Sequence, residues 1–481
     1  MAIGSGGDCS EDNLSDYKLL IGGELVAGEL TMPAVNPATG KVFTDAPRAS
    51  LAQLDQAVAA AARAFPAWAA TPVEDRRALM VSIADAVDAH SDELAPLLVR
   101  EHGMPLANAR IEVMVFGIKL RSIAQAPLPD RTIDLGPGRR VEQRYRPLGV
   151  VAAIVPWNVP LILLGAKLAP ALLMGDTVVI KPAPTTSLTT LRMGEILADL
   201  VPPGVINVIA DANDLGGALT THPLVRMVTF TGSTATGKKV AAAGADSLKR
   251  FTLELGGNDP AIVLDDVDPV ATAKILFESA FQNSGQACVA LKRVYAQDGI
   301  YDALCAALGD LARTAKVGDG FEEGVQFGPM QNKAQYEKVK ALIAETAGQG
   351  VIEAVGEIPE GDGYFIAPMI VRDIAEGTRL VDEEQFGPIL PVIRFNDVED
   401  AIARANASPY GLAASVFSKQ VERACAIAAR IEAGTVTVNK LLEFDTRVPF
   451  GGAKASGIGV ENCDQGLSEY GQIQILDVAP A

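Results

Sequence analysis

The order of apolar and polar positions divides the chain into a helical N-terminal region followed by alternating strands and helices. Residues 51–126 are alanine-rich with helical periodicity, with Pro72 near one helix start and Gly103 just past a helix end. From residue 148 the pattern changes to short apolar runs separated by amphipathic stretches. This alternation predicts parallel, doubly wound sheets with right-handed crossovers.

The alternating region contains two series. The first predicts a helix at 187–200 between strands at 150–155, 176–181, 204–209 and 226–232. The second predicts strands at 260–266, 293–297, 391–395, 413–418 and 434–439, with helices at 269–282, 301–314, 397–406 and 420–432. We therefore predict an α/β protein with two doubly wound domains. A β-hairpin at 131–147 and a terminal strand at 472–479 lie outside both series.

Composition agrees with a large globular protein of more than one domain. The chain has 481 residues, of which 49% are hydrophobic and 21% charged. Its net charge of −18 disfavours nucleic acid and anionic membranes as partners. The basic stretch 139–146 alternates polar and apolar residues, which is typical of a solvated strand face. The uncharged run 147–166 could span a bilayer by length, but its central prolines favour a strand, a turn and a buried helix.

Cysteine and histidine usage gives no indication of a metal site or a disulfide framework. The five cysteines are widely separated, and the three histidines form no ligand pattern. The glycine-rich N-terminus lacks the basic start and apolar middle of a signal peptide, so we interpret it as a loose tail. Together these features predict a reduced, cytoplasmic protein.

A glycine-rich turn at 229–239 allows two interpretations. Gly232 to Lys238 reads G-x-x-x-x-G-K, as in an ATPase phosphate loop, but Lys239 stands where that loop needs a magnesium-binding hydroxyl. The alternative is a strand, a turn at Gly232 and Ser233, and a helix whose N-terminus faces the pyrophosphate of a dinucleotide. An ordinary strand–helix turn remains a third possibility.

Three polar residues stand out from apolar or glycine-rich surroundings. Cys288 in "GQACVA" is either a buried small hydrophobe or a nucleophile with room for a substrate. Glu254 in "LELGGN" is either a structural carboxylate or a base whose pKa is raised by burial. Asn158 in "PWNVP" either caps a turn or donates to an oxyanion.

Seven motifs together resemble the NAD(P)-dependent aldehyde dehydrogenase superfamily, in order and spacing, from about residue 20 to the C-terminus. They are "PWNVP", "VVIKPAP", "FTGSTATG", "LELGGN", "GQACVALKR", "EEQFGPILPV" and "VPFGGAKASGIG". The resemblance implies a Rossmann-like cofactor domain at 19–126 and 147–255 and a catalytic domain at 256–462. It also implies oligomerisation elements at 127–146 and 463–481, hence a homodimer or homotetramer, and residues 1–18 remain as a flexible tail.

The resemblance also implies a role for each matching residue. Cys288 is then the nucleophile, Asn158 with the Cys288 backbone N–H forms the oxyanion hole, and Glu254 activates water. Lys167 and Glu469 match positions of a proton relay behind Glu254. The implied cofactor contacts are Ile154, Val155, Pro156, Trp157, Lys181, Gly232, Ser233, Leu255, Glu384 and Phe386. Trp157 and Lys181 are expected around the adenosine ribose, and Glu384 and Phe386 around the nicotinamide ribose.

Two departures from the family pattern bear on specificity. Pro184 replaces the glutamate that many NAD-preferring members carry three residues after the lysine, which leaves Lys181 to attract anions and predicts NAD with tolerance of NADP. The predicted substrate pocket has small or apolar walls and suits an aromatic or medium-chain aldehyde. Its residues are Val159, Ala166, Ala287, Val289, Phe444 and Phe450. A carboxylate-bearing semialdehyde, transfer of the acyl group to coenzyme A and a catalytically silent structural homologue are the alternatives.

Overall fold

The computed structural model describes residues 17–136 and 140–478, so most of the predicted N-terminal tail lies outside the described residues. In chain order the first elements are β1 (Leu19–Ile21), β2 (Glu24–Val26), β3 (Leu30–Asn36), β4 (Lys41–Arg48), α1 (Leu51–Ala70), α2 (Val73–Ala89), α3 (Ser91–His102), α4 (Leu106–Ala124), β5 (Arg131–Asp134), β6 (Arg140–Pro147), β7 (Val150–Ile154), α5 (Pro160–Met174), β8 (Thr177–Lys181), α6 (Leu188–Leu197), β9 (Ile206–Val208), α7 (Gly216–Thr221), β10 (Val225–Thr231), α8 (Thr234–Gly244) and β11 (Arg250–Glu254). The remaining elements are β12 (Asp259–Val263), α9 (Pro269–Phe281), β13 (Leu291–Gln297), α10 (Asp298–Thr314), α11 (Lys333–Thr346), β14 (Val351–Val355), β15 (Met369–Arg372), α12 (Arg379–Asp382), β16 (Ile389–Phe395), α13 (Val398–Asn406), β17 (Tyr410–Gly411), β18 (Ala413–Phe417), α14 (Val421–Ala428), β19 (Thr435–Val438), β20 (Ala453–Lys454), β21 (Gly457–Ile458), α15 (Cys463–Glu469) and β22 (Gly471–Val478).

The larger sheet has eight strands in the order β2-β1-β9-β8-β7-β10-β11-β21. Strands β9, β8, β7, β10 and β11 are parallel, and antiparallel strands flank them: β1 and the edge strand β2 on one side, and β21 on the other. Strands β7 and β8 are buried along their whole length, as continuous apolar runs between helices should be. Strand β21 lies within the segment predicted to be catalytic, yet it pairs with β11 of this sheet.

The smaller sheet has seven strands in the order β14-β15-β16-β13-β12-β18-β19. All its pairings are parallel except that of the edge strand β14. The prediction of two doubly wound sheets is thus confirmed. The prediction of a strand, a turn and a helix at 147–166 is confirmed as well.

A third sheet joins distant parts of the chain. Strand β6 pairs antiparallel with β5 and along its full length with β22, in the order β22-β6-β5. The predicted hairpin and terminal strand therefore lie side by side. Apolar side chains of this sheet remain exposed, among them Ile473 and Ile475.

Some elements were not predicted from the sequence. Strands β1 and β2 have three residues each, and β14 is an edge strand without clean alternation of burial. Helix α11 buries only Val339, Leu342 and Thr346, so its apolar stripe is narrow. Short edge elements and narrow stripes carry little periodic signal.

Candidate active site

Cys288 lies in the turn that leads from α9 into β13. The preceding residues Asn283, Ser284 and Gly285 have φ values of 51°, 56° and 74°, so the chain follows a left-handed course here. A Cβ at Gly285 would stand 2.3 Å from the Gly387 carbonyl oxygen, so this position requires glycine. The turn therefore has a fixed conformation that presents the thiol.

Lys292, which the sequence analysis did not single out, stabilises this turn through two hydrogen bonds. Its Nζ donates to the carbonyl oxygens of Gly285 at 2.8 Å and Ala287 at 3.0 Å. The same ammonium lies 5.5 Å from the centre of the Phe386 ring. Burial lowers the pKa of Lys292 to about 8, while the carboxylates of Glu384 and Asp259 raise it.

The thiol of Cys288 retains some exposure to a cavity but lies deep among protein atoms. This burial raises the pKa of Cys288 to about 12, and Glu384, Asp259 and Glu254 raise it further, against the opposing charge of Lys292. In this state the thiol is protonated at neutral pH, so its use as a nucleophile requires a proton acceptor.

We predict that Lys292→Met slows alkylation of Cys288. Loss of the cation removes the one charge that favours the thiolate, and a rise of one pKa unit means about tenfold less thiolate. Iodoacetamide labelling followed by peptide mass spectrometry measures the rate, with exposed Cys425 as the internal reference. Lys292→Arg keeps the charge and serves as the matched variant. Equal labelling of Cys288 in wild type and Lys292→Met would refute this role.

Asn158 connects the end of β7 to the cysteine turn. Its Nδ2 donates to the Gln286 carbonyl at 3.0 Å, and Asn283 Nδ2 donates to the Asn158 carbonyl at 2.8 Å. Asn158 and Cys288 line one cavity of about 180 Å³, together with Trp157, Leu255 and Phe386. Because an amide group has two N–H donors, one remains for a ligand in that cavity.

Glu254 ends strand β11 and is almost fully buried, at 3% exposure. Neither carboxylate oxygen has a hydrogen-bond partner within the described part of the chain. Burial raises the pKa of Glu254 well above its usual value, Glu461 raises it further, and Lys167 opposes the shift. A buried carboxyl without fixed donors is suited to taking up and releasing a proton.

Lys167, one of the two residues of the implied proton relay, is paired with Glu461, a residue that the relay did not include. Lys167 Nζ lies 2.9 Å from Glu461 Oε1 and donates to Thr231 Oγ1 at 2.6 Å. Thr231 is the register partner of Glu254, which brings this pair behind the glutamate.

Glu469 does not lie beside Lys167, because the backbone changes direction directly after Glu461. Asn462 and Cys463 have φ values of 67° and 46°, and the chain then enters α15, which ends at Glu469. Its carboxylate lies near Gly459, half-buried, with Arg250 as the nearby charge. The signal for Glu461 was its position just beyond "VPFGGAKASGIG", separated from the motif by Val460.

A larger cavity of about 570 Å³ adjoins the first and is bounded by the carboxyl ends of β7, β8 and β10. Helix α8 begins here at Thr234, with Ser233 as the N-cap that accepts from Thr236 N–H, so the predicted strand–turn–helix is confirmed. The predicted contacts that line it are Ile154, Val155, Pro156, Trp157, Lys181, Gly232 and Ser233. A helix N-terminus beside apolar walls fits the pyrophosphate and rings of a dinucleotide.

Lys181 is not the free cation that the sequence suggested. It is 5% exposed, and its Nζ lies 2.6 Å from Oδ1 of the fully buried Asp211. The other Asp211 oxygen accepts from Leu215 N–H at 2.9 Å. Pro184 also lines the cavity, so no carboxylate stands at that position. The charge of Lys181 is largely offset before any ligand binds.

Glu384 and Phe386 line the smaller cavity together with Cys288. Glu384 Oε1 accepts from Gly257 N–H at 3.0 Å, and a Cβ on Gly256 would stand 2.5 Å from Glu384 Oε2. The Phe386 ring meets Trp157 edge-on at 5.4 Å. These contacts bring Trp157, Glu384 and Phe386 to one wall beside Cys288.

The predicted substrate pocket is only partly assembled around the cysteine. Ala166, Ala287 and Val289 are buried, and Val159 caps α5. Val289 belongs to a small apolar cluster against which Cys288, Leu442 and Phe450 pack. Phe444 packs on Phe450 with ring centres 5.1 Å apart but is 55% exposed, so it lies at the rim and is not a buried wall.

Comparison with known proteins shows that the chain is similar to one protein family along most of its length. A model of the aldehyde dehydrogenase family matches residues 26–476. The chain is 38% identical to the mitochondrial succinate-semialdehyde dehydrogenase of Arabidopsis thaliana, over 95% of this chain and 88% of that protein. It is 37% identical to the phenylacetaldehyde dehydrogenase of Pseudomonas fluorescens, over 96% of both. The crystal structure of Staphylococcus aureus betaine aldehyde dehydrogenase with NAD+ superposes with a TM-score of 0.92, at 30% identity and 98% and 97% coverage.

The described residues include neither a membrane-spanning helix nor a metal-binding cluster. Across 17–136 and 140–478 no helix has the length and apolar character needed to cross a membrane. Within the same ranges no three histidine, cysteine or acidic side chains are grouped so that they could hold a metal ion.

Proposed function

Since the chain belongs to the aldehyde dehydrogenase family and such enzymes oxidise aldehydes to acids, we propose that Cys288 is the nucleophile of this oxidation and Glu254 the base that releases the acid. The observation that carries the proposal is the convergence of three groups. Cys288 and the amide donor Asn158 line one cavity. Glu254, a buried carboxyl without a hydrogen-bond partner among the described residues, ends strand β11.

The first half of the reaction forms a covalent adduct on Cys288. Its sulfur bonds to the aldehyde carbon, and the thiol proton is released to solvent through the cavity that Cys288 lines. Asn158 Nδ2 and the Cys288 backbone N–H stabilise the oxyanion of the thiohemiacetal. Trp157, Gly232 and Ser233, which line both cavities, and Glu384, which lines the smaller one, would hold NAD(P)+, and the cofactor would supply the hydride acceptor for the oxidation of this adduct to a thioester.

The second half hydrolyses the thioester. Glu254 removes a proton from water as that water attacks the acyl carbon. The C–S bond then breaks to give the acid, and the proton passes from Glu254 to the leaving Cys288 sulfur, which restores the thiol. The buried Lys167–Glu461 pair lies behind Glu254 and provides a route for its proton. Because Glu254 makes water the natural acceptor, we propose hydrolysis over transfer to coenzyme A.

One panel of assays tests this function. Purified protein is incubated with aromatic, aliphatic and carboxylate-bearing aldehydes, and reduced cofactor and acid product are measured with and without coenzyme A. An acid product independent of coenzyme A supports the proposal. A coenzyme A thioester would favour the acylating alternative, and absence of turnover with every aldehyde would favour the silent homologue.

We predict that the enzyme uses NAD with tolerance of NADP. Pro184 leaves no carboxylate to repel a 2′-phosphate, while pairing with Asp211 limits how strongly Lys181 attracts one. Separate kcat/KM measurements for the two cofactors, at fixed pH and aldehyde, check this. A preference for NAD above about a thousandfold, or about 4 kcal/mol, would contradict it.

The β22-β6-β5 sheet supports a homo-oligomer, dimer or tetramer, as part of the proposal. Its exposed Ile473 and Ile475 form an apolar strip on an open sheet. The domain division predicted from the sequence, the absence of nucleic-acid and membrane partners and a cytoplasmic location also remain proposals. The four described cysteines are all unpaired, which agrees with a reducing compartment.

The buried pocket residues support a substrate with an apolar body. Ala166, Ala287 and Val289 offer no hydrogen bond from their side chains. Aromatic and medium-chain aldehydes meet this requirement, as does a semialdehyde whose chain is apolar between its two ends. One further side chain distinguishes these two kinds of substrate.

A further inference from the structure

Lys119 is a buried cation without a partner. It lies on α4, is 7% exposed, and makes no hydrogen bond or ion pair with any residue in the described ranges. Burial lowers the pKa of Lys119, Glu461 opposes that shift, and Lys167 adds to it. Since a buried ammonium without a counterion is costly, its presence needs an explanation beyond packing.

The position of Lys119 is fixed by contacts on both sides of it. One side of α4 packs on α5, where Glu112 accepts from Leu161 N–H at 3.0 Å and a Cβ on Gly165 would stand 3.4 Å from Lys119 Cδ. One turn after Lys119, the Ser122 hydroxyl is hydrogen-bonded to Thr446.

Thr446 belongs to the segment 440–450, whose Leu442 and Phe450 pack against the same small apolar cluster around Val289 as Cys288 does. Lys119 therefore lies between α5 and the segment that reaches the nucleophile. Ala166, the small residue expected in the pocket wall, directly follows Gly165 on α5. Neither Lys119 nor Ala166 lines the larger cavity, which is assigned to the cofactor.

The charges around Lys119 do not balance. Lys119 and Lys167 are cations, and Glu461 is already paired with Lys167 at 2.9 Å. Glu254 is not hydrogen-bonded to Lys119, and burial and Glu461 raise the pKa of its carboxyl. An anionic ligand would balance the cluster and stabilise the ammonium form of Lys119.

We propose that Lys119 binds a carboxylate at the far end of the aldehyde substrate, so that the preferred substrates are aldehydes with an apolar chain and an anionic tail. This inference rests on the proposed function and selects the semialdehyde among its alternatives. The apolar walls receive the chain, Cys288 receives the aldehyde, and Lys119 is a specificity-determining residue.

The test compares ω-carboxylated aldehydes with alkanals of equal chain length on wild type, Lys119→Met, Lys119→Arg and Lys274→Met. Lys274 is an exposed lysine of α9 and serves as the matched control. We expect wild type to prefer the carboxylated aldehydes by at least about tenfold in kcat/KM. Lys119→Met should lose this preference through KM, Lys119→Arg should keep part of it, and all four proteins should oxidise alkanals alike.

Several outcomes would overturn the proposal. They are a wild-type preference for alkanals, an unchanged preference in Lys119→Met, or an equal loss with both kinds of aldehyde, which would indicate an effect on Glu254 or on folding. Thermal unfolding with and without succinate or glutarate gives a readout independent of turnover. Stabilisation of wild type but not of Lys119→Met supports the site even if no aldehyde is oxidised, which would refute the proposed function alone. Equal responses of the two proteins would refute the site.

Discussion

Replacing Cys288 by alanine is expected to abolish aldehyde oxidation. No other described cysteine lies in the cavity with Asn158 and Trp157, so no second thiol can replace it. We expect kcat/KM to fall by at least about 10⁴-fold, or about 5.5 kcal/mol of transition-state free energy. Formation of reduced cofactor measures the loss.

The matched control for this variant is Cys425→Ala. Cys425 is exposed on α14, so its removal should leave kcat/KM unchanged. Thermal unfolding of both variants verifies that each is folded. Cys288→Ala with activity close to that of wild type would refute the assignment of the nucleophile, because the covalent adduct could not form.

Replacing Glu254 by glutamine is expected to preserve hydride transfer and to slow hydrolysis of the thioester. An amide of similar shape cannot accept the proton of water, and positioned bases typically contribute about 10²–10⁴-fold. The expected result is a burst of reduced cofactor followed by a slow steady state. Rapid mixing with aldehyde and cofactor measures both phases.

The pH dependence of hydrolysis provides a second test of Glu254. Water is activated by the carboxylate form, and burial together with Glu461 raises the pKa of Glu254. The rate should therefore increase with pH at values above the usual titration range of a glutamate, and Glu254→Gln should lose this dependence. Glu469→Gln is the informative comparison, because the structure does not bring Glu469 to Lys167, and its hydrolysis rate should match that of wild type.

Local patterns were sufficient to predict the central strands and the main site residues. The buried runs are continuous along β7 and β8 and are interrupted only at Arg226 in β10. Gly232 directly follows β10, and Asn158 lies in the turn after β7. Parallel strands bring their carboxyl ends to one edge, so residues at these ends converge by topology alone. The resemblance then connected them with Cys288 and Glu254.

The partners of buried charges could not be predicted in this way. Lys167 and Glu461 are 294 positions apart, and the short reversal at Asn462 decides that Glu461 and not Glu469 reaches the lysine. The Lys181–Asp211 pair and the isolation of Lys119 likewise depend on how helices and strands pack. Such contacts leave no periodic signal, because they depend on the distance between elements and not on spacing within one.

The central claim is that the acyl group is held on Cys288 until Glu254 directs water to it. The most direct test is to quench Glu254→Gln after mixing with aldehyde and NAD+ and to measure the mass of the peptide containing Cys288. The account predicts that this peptide gains the mass of the acyl group, in step with the burst of reduced cofactor. A burst without that mass gain, or an acyl group on another residue, would contradict it.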